Sequence, residues 1–147
     1  MSNTYKIKKG LNIPLLGEAE KVIRNAEPAQ HYAVKPIDFH GIRTKLMVWP
    51  GDRVKAGNAL FYNKLQPHVS FPSPVSGKIS EVTRGERRKI LEVVIEADSI
   101  IEYEDFGKGN PGNMKRDDVV DKLIKSGLWA FIRKRPYSIS ADPKDDP

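Results

Sequence analysis

Aromatic and guanidinium side chains gather in one short stretch, Trp129-Ala130-Phe131-Ile132-Arg133-Lys134-Arg135-Pro136-Tyr137. The flat rings of Trp129, Phe131 and Tyr137 suit stacking on a planar conjugated ligand, and Arg133 and Arg135 can donate hydrogen bonds to its carbonyl oxygens. The competing structural use is that Trp129 and Phe131 pack at a domain junction while the residues from Arg133 to Arg135 form a solvated cluster. A small-ligand site also needs convergent walls, which spacing alone does not supply.

A second chemistry-bearing run is Arg84-Gly85-Glu86-Arg87-Arg88-Lys89, which reads as the tip of a β-hairpin with Gly85 in the turn. Arg84, Arg87 and Arg88 there suit docking onto an acidic neighbouring protein or onto anionic headgroups, worth about 1 kcal/mol per basic residue at a charged membrane. An ordinary charged turn has the same composition. No Ser/His/Asp set, P-loop or G-x-G-x-x-G after a strand is present, so the isolated chain is expected to be non-catalytic. The absence of cysteine removes thiolate metal sites, disulfides and a Cys nucleophile. His31, His40 and His68 have neither the spacing nor the carboxylate neighbours of a metal site, and none is expected.

The elements that hold these runs follow from composition and periodicity. A chain of 147 residues has room for one good core plus an appendage. With 39% apolar and 30% charged residues it reads as a folded globular protein. No apolar run reaches the roughly 18 to 20 residues of a membrane span and no signal peptide opens the chain, so a soluble cytoplasmic protein is expected. The net charge of +6 admits nucleic acid, an anionic surface or an acidic partner, and alone does not choose among them.

Tyr5 to Leu16 reads as an edge strand broken by Pro14, Glu18 to Gln30 as irregular, and His31 to Lys35 as a strand. Short β-rich runs follow at Thr44–Trp49, Ala59–Tyr62, Gly77–Val82 and Ile90–Glu96, separated by glycine or proline turns, and predict a compact β unit. In the last of these Leu91, Val93 and Ile95 are expected on one buried face. Residues 105–113 read as a linker. Val119, Val120, Leu123, Ile124 and Leu128 recur at helical spacing, with Asn113 or Asp117 near the start and Gly127 near the stop. The expected domains are therefore 1–104, a β domain; 105–113, a linker; and 114–147, an amphipathic helix opening a further domain that is cut inside its acidic, proline-rich end.

The most specific run is Gly51-Asp52-Arg53-Val54-Lys55-Ala56-Gly57-Asn58-Ala59-Leu60. Its glycines supply the positive φ of a tight strand-turn-strand corner while Val54 and Leu60 fill a small core. It resembles the hammerhead of biotinyl and lipoyl domains, and Ser73-Pro74-Val75-Ser76-Gly77-Lys78-Ile79 resembles their second turn. The resemblance implies a mainly β barrel-sandwich hybrid followed by a short α-helical segment. Carrier members attach their group to a lysine on the hairpin between these motifs. Here that region reads Leu65-Gln66-Pro67-His68, and Lys64 falls several residues early in a different context, so no covalent cofactor is expected.

A narrower resemblance covers nearly the whole chain. The residues from Ile7 to Pro14 with Gly17, Gly51 to Val54, Ser73 to Lys78, Arg84 to Arg88, Ser126 to Trp129 and Arg133 to Tyr137 are similar to the A-type component of the bacterial Na+-translocating NADH:quinone oxidoreductases. Asn12 for Asp, Tyr137 for Phe and the acidic ending depart from that pattern. The resemblance implies a peripheral subunit on the cytoplasmic face of the inner membrane, partnered by the other subunits. It would contribute to quinone interaction in electron transfer coupled to sodium export, with Trp129, Phe131, Arg133, Arg135 and Tyr137 as the candidate quinone contacts and with NADH and the flavins handled by other subunits. Flavin architectures related to it place a glycine-rich phosphate cradle after a similar helix; the residues from Trp129 to Pro136 contain no glycine, which argues against flavin here. Two alternatives remain at this point: the C-type component of an Rnf-type electron transport complex, which shares the barrel, and a basic nucleic-acid-binding β-barrel. The latter calls for aromatic platforms on the strands, and aromatics are only 8% of the chain, several of them outside the β core.

Overall fold

A computed structural model describes Lys6 and residues 16–144. The expected edge strand at Tyr5–Leu16, apart from Lys6 and Leu16, and the acidic ending from Asp145 onward lie outside the described residues. Residues 18–29 form no regular element, as their mixed pattern suggests. The β unit then opens with β1 (His31–Val34), β2 (Thr44–Leu46), β3 (Arg53–Val54), β4 (Ala59–Asn63) and β5 (Gln66–Pro72), and closes with β6 (Gly77–Arg84) and β7 (Ile90–Ala97). Two antiparallel sheets result, one ordered β1-β7-β6-β3 and the other β2-β4-β5. Their inner faces share one core containing Leu60, Phe61, Phe71, Ile79, Val93 and Ile95, each fully buried. This is the two-sheet arrangement of a mainly β sandwich. Phe61 and Phe71 stack at 4.9 Å across the β4–β5 pair, and each such side chain contributes about 1.5–3 kcal/mol by burial.

The two glycine turns meet in space. Gly51, at φ 99°, donates its N–H to the Ile79 carbonyl at 2.8 Å, and Ile79 N–H returns to the Asp52 carbonyl at 2.8 Å. The Asp52 carboxylate closes its own turn by accepting from Trp49 N–H at 2.7 Å. Gly57 N–H likewise bonds the Ser73 carbonyl, and Ser73 N–H the Asn58 carbonyl, both at 2.8 Å. At Gly77 a β-carbon would run into the Glu96 carbonyl oxygen, so only glycine lets β6 start this close to β7.

In β7 the buried residues are Ile90, Val93 and Ile95, whereas Leu91 is 39% exposed. The expected Leu91–Val93–Ile95 face fails at its first member because the ladder slips: Arg84 pairs Ile90 while Thr83 pairs Glu92, leaving Leu91 as the extra residue of a bulge. Leu91 turns instead onto Gly85. The strand β5 carries Pro67 and Pro72, which break the period-two pattern of a strand; both are tolerated because β5 ends its sheet.

Residues 102–104 run back along the barrel, with Ala56 N–H bonding the Glu102 carbonyl and Glu104 N–H the Ala56 carbonyl, each at 2.9 Å. The helix α1 (Arg116–Lys125) follows. Lys115, not Asn113 or Asp117, is its N-cap, and no side chain caps it; the acidic pair Asp117 and Asp118 in its first turn favours the helix dipole instead. Gly127 stops the helix as expected, at φ 73°, and Leu128 falls outside it in a 3-10 turn, 53% exposed. The hairpin of β8 (Arg133–Lys134) and β9 (Ile139–Ser140) completes the described chain.

Candidate functional site

Gly127 decides where the aromatic and basic segment goes. Its left-handed conformation ends α1, and a β-carbon there would sit 2.8 Å from Pro72 Cδ, so the chain leaves the helix in contact with β5. The 3-10 turn Leu128–Phe131 then drives Trp129 into the core at 9% exposure and Ala130 to full burial. Trp129 Nε1 donates to the Ala141 carbonyl at 2.9 Å, and Ser140 Oγ donates to the Ala130 carbonyl at 3.1 Å. Ala141 N–H adds a bond to the Ile132 carbonyl at 2.9 Å. These bonds tie the β8–β9 hairpin back onto the turn.

The segment is thereby divided. Trp129 belongs to the core, with almost no ring surface left for a ligand. Phe131 is 54% exposed and meets Phe39 edge-on at 5.9 Å. The Arg133 guanidinium lies over the Phe39 ring, 5.3 Å from its centroid, and also donates to the Ser138 carbonyl at 3.3 Å. Arg135, Pro136 and the 76% exposed Tyr137 occupy the turn between β8 and β9, where the Arg135–Pro136 peptide is cis. The structure thus brings Phe131 and Arg133 together around Phe39 and leaves Arg135 and Tyr137 on the turn. Phe39 itself packs on Phe71 at 4.4 Å, so a continuous series of rings runs from the core to the surface. Sequence spacing did not reveal Phe39, which lies more than 90 positions away; only the sheet packing joins it to the segment. Beside this face a cleft of about 290 Å³ is lined by His40, Ile42, Ile139 and Ser140 among others, and none of the expected segment residues lines it.

The basic hairpin is built differently. Gly85 N–H bonds the Lys89 carbonyl at 2.8 Å, but Gly85 has an extended backbone; Arg87 and Arg88 take the left-handed conformation at φ 52° and 60°. The turn expected at Gly85 is therefore carried by arginines. Arg84, Arg87 and Arg88 are all exposed, and among the described residues none forms an ion pair.

Lys64 stands in the two-residue turn between β4 and β5, its N–H bonded to the Arg43 carbonyl at 2.7 Å. By count it looked early for a carrier lysine; the short β4–β5 hairpin puts it at the tip nonetheless, because Asn63 already pairs with Gln66. Asn63 holds that turn, its Oδ1 accepting from Arg43 and Leu65 N–H groups at 3.0 and 3.1 Å. Among the described residues no three of His, Asp and Glu gather as a metal site, and no helix is long and apolar enough to cross a membrane.

Two facing sheets locked by paired Gly-Asp and Ser-Pro-x-x-Gly corners define a barrel-sandwich hybrid domain of the biotinyl/lipoyl-like class. The chain belongs to the NqrA family: residues 5–98 match the NqrA N-terminal barrel-sandwich hybrid domain, and residues 114–147 match the NqrA second alpha/beta domain. Curated relatives are named as the A component of the Na(+)-translocating NADH-quinone reductase. One from Pseudomonas aeruginosa (strain UCBPP-PA14) is 38% identical over 97% of this chain and 32% of its own length. One from Yersinia pseudotuberculosis (serotype O:1b, strain IP 31758) is 39% identical over the same shares. One from Hahella chejuensis (strain KCTC 2396) is 40% identical over 94% of this chain and 32% of its own. The chain thus spans about a third of the length of the curated relatives it matches.

Proposed function

We propose that the chain serves in a Na+-translocating NADH:quinone oxidoreductase as part of a peripheral subunit on the cytoplasmic face of the bacterial inner membrane. It contributes to quinone interaction and to assembly in electron transfer coupled to sodium export. NADH and the flavins are handled by other subunits, and this chain carries no covalent cofactor. The β unit, bounded at 104 and followed by a linker to 113, is a scaffold, and the segment after the helix packs back onto it at Phe39, where the quinone is met.

The observation that carries the quinone part is the convergence of Phe131 and Arg133 on Phe39. A half-exposed ring beside a guanidinium offers a stacking surface and hydrogen-bond donors to a quinone carbonyl. Arg135 and Tyr137 stand on the adjoining turn as the next contacts, while Trp129 anchors the segment from inside. A soluble short-chain quinone titrated into the chain, followed by tryptophan fluorescence, tests this directly. Saturable quenching is expected, with Phe131→Ala and Arg133→Ala each raising Kd about fivefold or more. Equal affinity in both variants sinks the quinone part.

The assembly part rests on the exposed, unpaired cluster Arg84, Arg87 and Arg88. Reversing Arg87 and Arg88 to glutamate in the whole complex is expected to lower the recovery of this subunit with its partners. Undiminished recovery removes it.

A further inference from the structure

The strand β2 ends its sheet and is paired on one side only, to β4. Antiparallel pairing points the peptide groups of alternate residues to opposite sides. The Arg43 carbonyl accepts from Lys64 N–H at 2.7 Å and Met47 N–H donates to the Leu60 carbonyl at 2.9 Å, so this alternate set is engaged with β4. Thr44 and Leu46 therefore aim their N–H and C=O groups away from β4, toward a groove. Open edges of this kind are templates for another strand.

Two adjoining clefts of about 470 and 290 Å³ form the groove and share Thr44, Arg88 and Ile90. Its far wall is the basic hairpin, with Arg84, Arg88 and Lys89; its near wall carries Arg43 and Lys45, and Lys64 stands at one end. Phe39, Ile42 and Ile90 supply an apolar lining. No acidic side chain lines either cleft, and among the described residues none of these cations forms an ion pair. The left-handed backbone at Arg87 and Arg88, which L side chains seldom adopt, accompanies the placement of Arg88 on both clefts.

We infer that an extended acidic segment of a partner polypeptide adds to the free edge of β2, its peptide groups pairing with Thr44 and Leu46 and its carboxylates meeting the cations on both walls. Strand addition draws affinity from main-chain bonds and specificity from alternate side chains, which fits an apolar lining between cationic rims. A bilayer presents a broad face rather than a strand to a groove. A nucleic acid calls for a row of stacking platforms, and the rings here are few and not in a row on one strand: Phe39 and His40 in one cleft and Trp49 in the other. This inference rests on the assembly part of the proposed function and names the partner's chemistry and mode of attachment.

The test is fluorescence anisotropy of a labelled peptide of about ten residues alternating glutamate and valine, titrated with the chain. Saturable binding is expected. Methylating one alternate set of the peptide's backbone nitrogens weakens it at least about tenfold, because that set faces β2. Arg88→Glu with Lys45→Glu weakens it by at least about tenfold as well, and Lys64→Glu, checked for unchanged thermal unfolding, provides an independent variant. If neither methylated peptide loses affinity but charge reversal still does, strand addition is overturned while acidic docking stands. If charge reversal changes nothing, both the inference and the assembly reading fall. Tighter binding of phosphatidylglycerol vesicles or of an oligonucleotide overturns the inference and assigns the groove to that surface.

Discussion

Two arginine-rich stretches of similar composition, residues 84–89 and 133–135, occupy opposite settings. Arg133 is half-buried, lies over Phe39 and bonds the Ser138 carbonyl, on a hairpin tied to the core through Trp129 and Ser140. Arg87 and Arg88 stand exposed at a tip whose backbone is held left-handed, and no carboxylate among the described residues pairs with them. A cation packed on a ring contributes to the fold of its own chain; an exposed cation without a carboxylate partner among the described residues is available to another molecule. Composition did not distinguish them, and packing did.

That contrast is open to a graded set of substitutions. Trp129→Ala should have the largest effect, about 3–5 kcal/mol lost in urea unfolding, since it empties a core position and orphans the Ala141 carbonyl. A loss under about 1 kcal/mol would mean that the 128–141 segment is not anchored to the barrel as described. Gly127→Ala is next, at about 1–3 kcal/mol, because an L side chain is strained at φ 73° and would press on Pro72. Arg133→Ala should cost about 1 kcal/mol for the ring contact and the carbonyl bond, a smaller but measurable shift in the urea midpoint. Arg87→Gly lies at the other end: relief of a left-handed arginine should raise stability by about 0.5 kcal/mol, offset in part by chain entropy. If Arg87→Gly instead destabilised the chain more than Arg133→Ala, the tip would be a structural element and the contrast would collapse.

Much of the β unit could be read from residue types. The runs Gly51–Leu60 and Ser73–Ile79 announce their turns because only glycine fits the positive φ at Gly51 and Gly57 and the close approach at Gly77. The helix stop at Gly127 was equally legible. The face of β7 was not, because a bulge at Leu91 depends on the partner strand and leaves no mark in a period-two pattern. The strand β5 escaped notice behind its prolines, and Lys64 looked misplaced because hairpin length is a property of pairing. Of the candidate site, the sequence marked Phe131 and Arg133 but also Trp129, whose indole the fold withdraws, and it missed Phe39.

By itself, then, the sequence determined the local corners, the helix and the family, since these rest on dihedral limits and short-range spacing that each residue carries with it. Only the tertiary structure decided which aromatic faces remain outside, which arginines are packed and which edge of a sheet lies open. Those outcomes depend on contacts between residues far apart in the chain, such as Phe39 with Phe131 and Thr44 across from Arg88, and no local pattern encodes the distance between them.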